Sequence, residues 1–300
     1  MQTAKEDGVS PRPPGMNIEV VESVAVGPPG LVDAHDVASP SGTSRQRRSV
    51  FAWLRYVFAR YWVLELSVFL ILAIAYNVVR AVSHVGDLDP YANARFILSG
   101  EGPIFDILER SLNQWLNTVP VLAIVSCYIY AVFHYAATPV VFFLSRYRGG
   151  WQYWRGYWAL IIGSGLALVI YALYPVAPPR LMPDLGIIDV MREYASYGWW
   201  GSAASAPRGI GDATNQFAAM PSMHFGWALW CAIQMWGFRT RIFRVIAVVY
   251  PAVLAVVVFA TGNHFLLDIV GGALCILVGY GVVELIGRRQ REPVETSAVT

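Results

Sequence analysis

The sequence predicts an all-α, polytopic membrane protein with six transmembrane helices and one short amphipathic helix on the membrane surface. Three observations carry that prediction. The 300 residues are 56% hydrophobic and 14% charged, with eleven tryptophans. Several uncharged runs reach the roughly 20 residues that cross a bilayer as a helix. The links between these runs alternate in character, short arginine clusters with acid-bearing segments. A net charge of +2 does not point to a nucleic-acid partner; where the charges fall matters more than their sum.

In chain order, Met1 to Ser44 is rich in Pro, Gly, Ser, Val and Asp without sustained periodicity and is expected to be a disordered tail. It lacks the basic, apolar and small-residue order of a cleavable signal peptide. Arg45, Arg47, Arg48, Arg55 and Arg60 lead into the first span, about Trp62 to Val82, which contains Glu65 and Asn77. Glu65 lies near the basic end and is expected to reach the interface or a neighbouring helix. Ser83 to Asn117 is polar and acidic (Asp87, Asp89, Glu101, Asp106, Glu109), and Ile104 to Leu116 has apolar residues at helical spacing, as in a surface helix.

The second span is expected from about Val119 to Leu144, followed by Arg146, Arg148 and Arg155, and the third from about Tyr157 to Tyr174. The prolines of Pro175-Val-Ala-Pro-Pro-Arg180 stop that helix. A long aromatic loop reaches Phe217. The fourth span runs from Pro221 to about Trp236, the fifth from about Val245 to Ala260, and the sixth from about His264 to Ile286. Pro251 is expected to kink the fifth. Gly271, Gly272, Ala273, Gly279 and Gly281 suit close packing of the sixth. Residues 45–290 thus form one membrane domain, with a polar tail over 291–300. Cys127, Cys231 and Cys275 fall inside apolar runs without CxxC spacing and read as buried small hydrophobes.

The arginine clusters mark the N-terminal tail, the 2–3 and 4–5 links and the C-terminus as the cytoplasmic side. Both termini are then expected in the cytoplasm of a cell whose cytoplasmic membrane holds the protein. On that topology Arg180, His224 and His264 fall together on the extracytoplasmic face. Lys5 is the only lysine, so an anion held in the membrane domain must be held by arginine, histidine or backbone N–H groups.

His264 and Asp268 are four residues apart and share a helical face. A carboxylate bonded to one imidazole nitrogen fixes the tautomer and leaves the other nitrogen as base or nucleophile; the bland alternative is a polar pair that satisfies itself. His224, three residues after Pro221, opens the next apolar helix. Ser222 can cap there, and free N–H groups seat an anion. An imidazolium beside a phosphate can serve as general acid, although a capping or interfacial histidine needs no such role. Arg180 offers a guanidinium fork to two phosphate oxygens. Arg208 and Gln216 are further candidates for the same pocket. His134, between Phe133 and Tyr135, reads as a packed core residue, and His35 and His84 carry no signal.

Pro221-Ser-Met-His224 and His264-Phe-Leu-Leu-Asp268 resemble the second and third signature motifs, PSGH and SRxxxxxHxxxD, of the type-2 phosphatidic acid phosphatase superfamily. The fuller wording Ala-Pro-Pro-Arg180, Asn215-Gln-Phe-Ala-Ala-Met-Pro-Ser-Met-His224 and Thr261-Gly-Asn-His-Phe-Leu-Leu-Asp268 resembles the branch of inositol phosphorylceramide synthases and their bacterial relatives. The resemblance covers roughly Val119 to Ile286. It implies that His264 attacks phosphorus to form a phosphohistidine, Asp268 orients it, and His224 protonates the leaving group. Arg180 and Ser222 would hold the phosphate. No metal or other cofactor is implied, because fixed positive charge and N–H donors stabilise the transferring group.

The chain departs from the family pattern at Leu173 and Leu181 in the first motif, at Met223 in the second and at Val258 in the third. The implied substrate is a lipid phosphate or phospholipid drawn from membrane lipids, and the implied acceptor is water or a polyol such as inositol. Two competing readings remain. One is a transporter or channel in which His224, His264 and Asp268 relay protons or hold a metal ion. The other is a silent relative that only binds lipid.

Overall fold

The computed structural model describes residues 62–82, 88–200 and 215–289. The expectations for the two tails, for the arginines at 45–60, for His35 and His84, and for Arg208 lie outside the described residues. The architecture is all-helical; among the described residues the sole β interaction is an isolated bridge between Val176 and Ala218.

Helix α1 spans Trp62–Val82. Helix α2, Pro90–Glu101, starts where Asp89 accepts hydrogen bonds from the Tyr91 and Ala92 N–H groups, with proline in the first turn. A π-helical turn, Phe105–Arg110, runs directly into α3, Ser111–Asn117. The long helices α4, Pro120–Arg148, and α5, Gly150–Leu173, follow. Two 3₁₀ turns, Pro179–Leu181 and Pro183–Leu185, and the short α6, Val190–Glu193, lead to α7, Met223–Trp236. Helices α8, Arg241–Ala260, with Pro251 inside it, and α9, Leu266–Arg289, complete the bundle.

Four helices are long and apolar enough to cross a bilayer: α4, α5, α8 and α9 as far as Gly287. This is a multi-pass membrane protein. The other two expected spans are shorter. The apolar stretch of α1 is Glu65–Val79, and the 14 residues of α7 cover about 21 Å at ~1.5 Å per residue, less than a ~30 Å hydrocarbon core. The difference at α7 has a local cause. The segment just ahead of the helix, Asn215 to Ser222, is pinned to the exit of α5. Val176 N–H donates to Phe217 O at 2.7 Å and Ala219 N–H to Val176 O at 3.3 Å. The helix therefore starts at Met223 rather than Pro221, whose bond to Met220 is cis.

The surface helix corrects the expected polarity. Along the π turn and α3, Phe105, Glu109, Asn113 and Leu116 face inward, while Ile107 and Trp115 are exposed. Polar side chains turn inward because they have backbone to satisfy. Asn113 Nδ2 donates to Ile188 O and Ala260 O, both at 2.9 Å, and its Oδ1 accepts the Ile188 N–H at 2.8 Å.

Helix α5 packs along α9, α7 is wedged among α4, α8 and α9, and α1 lies on α5. Close backbone approach sets these contacts. A Cβ on Gly272 would stand 2.0 Å from Ser222 O, and one on Gly279 2.3 Å from Ala159 O. Gly281, expected to serve the same purpose, faces open space. Glu65, 1% exposed, reaches neighbouring helices, accepting from Arg146 Nη1 at 3.1 Å and from the Tyr153 hydroxyl at 2.6 Å. All three cysteines are buried and free.

Candidate functional site

Three irregular segments meet at one end of the bundle: the exit of α5 up to Arg180, the approach to α7 up to His224, and the turn Thr261 to Phe265 that opens α9. The Val176–Ala218 bridge joins the first two. Arg180 N–H joins the first to the third by donating to Gly262 O at 2.8 Å. Gly262 has φ +72°, and a Cβ there would also stand 2.7 Å from Ile187 Cγ2, so the turn demands glycine. Ser222 N–H donates to Asp268 O at 2.8 Å, joining the second to the third.

The His224 and His264 ring centroids are 5.6 Å apart. His264 Nδ1 lies 2.9 Å from Ala219 O and 3.5 Å from Asp268 Oδ2. A carbonyl oxygen can only accept, so Nδ1 carries the proton and the Nε2 lone pair is left over. No hydrogen-bond partner meets Nε2 among the described residues. Asp268 is thus the more distant of two acceptors. Its Oδ2 also accepts the Phe265 N–H at 2.8 Å, capping the helix on which it sits.

His224 is held by rings. Tyr130 stacks on it at 4.4 Å with 14° between planes, and His134 meets it edge-on at 4.0 Å. His134 is the packed residue expected from the sequence, but it packs against the site itself. Arg180, buried, donates through Nε to Asn263 Oδ1 at 3.0 Å and through Nη1 to Asp189 Oδ2 at 3.3 Å. Two of its five donors are thereby fixed. Ser222 occupies the N-cap position of α7 without making the expected cap bond, and its buried Oγ has no partner among the described residues. Gln216 is half-buried and lines the same space, whereas Arg208 lies outside the described residues.

The two helix starts differ. At α9 the N–H groups of Phe265, Leu266 and Leu267 are taken by Asp268, Glu109 and Glu101. At α7 the first N–H to bond back is that of Gly226, to Ser222 O at 2.9 Å, so the three before it have no intrahelical acceptor. The Met223 N–H meets the Tyr171 hydroxyl, which leaves those of His224 and Phe225 as an anion seat on α7, while the three at the start of α9 are taken.

These groups open onto a cavity of about 610 Å³ between α1, α4, α5 and α7. Arg180, His224 and His264 line one end, and apolar side chains such as Phe69, Phe142 and Leu160 line its depth. The volume suits a ligand-sized occupant. Among the described residues no group of three or more His, Cys, Asp or Glu is placed to hold a metal ion. Asn263, Asp189, Tyr130 and the Ala219 carbonyl were not singled out by sequence, and His134 was read as packed core alone. Only Asn263, a polar residue beside His264 at the mouth of an apolar run, carried a signal that could have found it.

Comparison with known proteins returns no curated relative and no solved structure that matches. The sequence does match one family, the PAP2 superfamily, over residues 101–282. That interval holds Arg180, the approach to α7 and the turn before α9, and it implies phosphatase- or phosphotransferase-type activity in a membrane protein. With more than half its length matched, the chain belongs to the PAP2 superfamily.

Proposed function

We propose that the protein transfers a phosphoryl group from a lipid phosphate through a phosphohistidine at His264. The reading is carried by one observation above the rest: Nδ1 of His264 donates to Ala219 O, so its Nε2 lone pair is unengaged, across from His224. In the first step Nε2 attacks phosphorus and the bond from phosphorus to the lipid oxygen breaks. His224, in its imidazolium form, gives its proton to that departing oxygen. In the second, neutral His224 takes a proton from water or another hydroxyl, whose oxygen attacks the phosphohistidine and returns His264 to its starting state.

Arg180, held by Asn263 and Asp189, and the N–H groups of His224 and Phe225 receive the charge on the phosphoryl oxygens. Ser222 Oγ and Gln216 add donors, and Arg208 belongs to the same set. Asp268 balances the charge on His264 as it gains its bond to phosphorus.

In this reading α1 and α7 complete a six-crossing frame. The arginine-rich links face the cytoplasm, and the site opens on the extracytoplasmic side of the cytoplasmic membrane. The acceptor is water, or a polyol in a head-group transfer; inositol rests on the branch resemblance alone. The test is purified protein incubated with a panel of lipid phosphates, with and without inositol or glycerol, and products identified by mass spectrometry. His264→Ala and His224→Ala should each lose at least ~10³-fold in turnover, within the range of losses on removing a nucleophile or its acid–base partner. Full activity in either variant overturns the mechanism.

A further inference from the structure

Two buried carboxyls outside the catalytic cluster hold the start of α9. Glu101, the last residue of α2, accepts the Leu267 N–H at 2.7 Å, and Glu109, in the π turn, accepts the Leu266 N–H at 2.9 Å. Both are almost fully buried, at 4% and 1% exposure. Among the described residues neither forms an ion pair with an arginine or histidine, and the second oxygen of each meets no donor other than the neighbouring carboxyl. These two bonded amides lie two and three residues beyond His264.

We propose that Glu101 and Glu109 are positioning residues that together lock the first turn of α9 and so aim His264 Nε2 at phosphorus. The inference rests on His264 being the nucleophile, as proposed above. Chemistry explains why two acids are used. Two ionised carboxylates side by side without a cation repel each other, so one keeps a proton and donates it to its neighbour. Burial pushes both carboxyls above the usual carboxylate range, and at Glu109 the Glu101 charge adds to the effect. Asp268 is the charged group facing the pair from α9, and its charge acts in the same direction.

The result is a short bridge from α2 to the π turn that spends one oxygen of each residue on α9 and ties the remaining two to each other. It also occupies the anion seat of α9 with the protein's own carboxylates. A substrate phosphate is thereby left to α7, where His224 stands.

The test compares Glu109→Gln, Glu109→Ala and Glu101→Ala with the unchanged protein in detergent. A glutamine at 109 can still accept the Leu266 N–H and donate to Glu101, imitating the protonated acid; alanine can do neither. Glu109→Gln should keep kcat within about threefold. The alanine variants should lose kcat roughly 100-fold with KM little changed, the scale of a ~1 Å misplacement of a reacting group. Backbone amide exchange over residues 265–268 should accelerate in both alanine variants and stay slow in Glu109→Gln.

Wild-type kcat in the alanine variants, a Glu109→Gln as defective as Glu109→Ala, or unchanged exchange in all three overturns the proposal. Should the unchanged protein turn over no lipid phosphate, the enzymatic reading falls by itself. The exchange arm then decides the anchor: acceleration confined to the alanine variants supports it, and uniform exchange overturns it.

Discussion

At the scale of single residues, the site differs from a simple His–Asp pair in who holds the imidazole. Because the Ala219 carbonyl takes the Nδ1 proton of His264 at 2.9 Å, the tautomer survives loss of the Asp268 charge. Removing a carboxylate that alone fixes a tautomer costs a factor of ~10⁴. Asp268→Asn, which can keep the cap on Phe265, should therefore lose only about 10- to 100-fold in kcat, far less than His264→Ala. Steady-state rates on one lipid phosphate decide this, and an Asp268→Asn variant as inactive as His264→Ala would show that Asp268 is the true orienter. Asn263 supports a second prediction. It fixes the Nε edge of Arg180, a hydrogen bond to a charged group of the kind that contributes about 1.5–3 kcal/mol. Asn263→Ala should lower kcat/KM by roughly 10- to 150-fold, while Asp189 keeps the guanidinium from leaving the site.

At the scale of helices, backbone approach places the site, and two glycines on α9 make opposite predictions. Gly272 meets Ser222 O so closely that Gly272→Ala must part α9 from α7, at about 1–3 kcal/mol and with loss of activity. Gly281 meets nothing, so Gly281→Ala should be neutral or stabilising by up to ~1 kcal/mol. Thermal unfolding midpoints in one detergent measure both. These elements also mark what the sequence could reveal. Helices α4, α5, α8 and α9 were legible because a bilayer accepts little but apolar side chains over that length. Arg180, His224 and His264 were legible because ionisable groups in apolar sequence are costly enough to need a reason. The Ala219 carbonyl was not, since every residue carries one. The inward turn of Glu109 and Asn113 in the expected surface helix was not legible, because composition gives the polar face of a helix but not the direction it points. The start of α7 was legible to within two residues, Met223 against the expected Pro221, but the pairing of Phe217 and Ala219 with the exit of α5 was not, because it depends on hydrogen bonds between segments some 40 residues apart.

At the scale of the whole molecule, if the substrate is the lipid phosphate proposed above, the cavity gives separate jobs to the two ends of that lipid. A hydrocarbon chain that leaves the bilayer for an apolar cavity exchanges one apolar surrounding for another, so its burial adds little net affinity. On the proposed function, binding then comes from the phosphate, at Arg180 and the start of α7, and the apolar depth lined by Phe69, Phe142 and Leu160 would act as a gauge of chain size. Leu160 is 2% exposed and projects into that depth from α5. Leu160→Trp should leave a short, water-soluble phosphate monoester with its KM within about twofold. A long-chain lipid phosphate must overpack the narrowed cavity at about 1–3 kcal/mol, raising its KM roughly 5- to 150-fold. The measurement is KM for both substrates in the same mixed micelles. If the two rise together, the substitution has disturbed the head-group end, and the chain does not run past Leu160. If neither rises in a variant that unfolds at the wild-type temperature, the chain stays in the bilayer and the cavity takes only the phosphate and the atoms next to it.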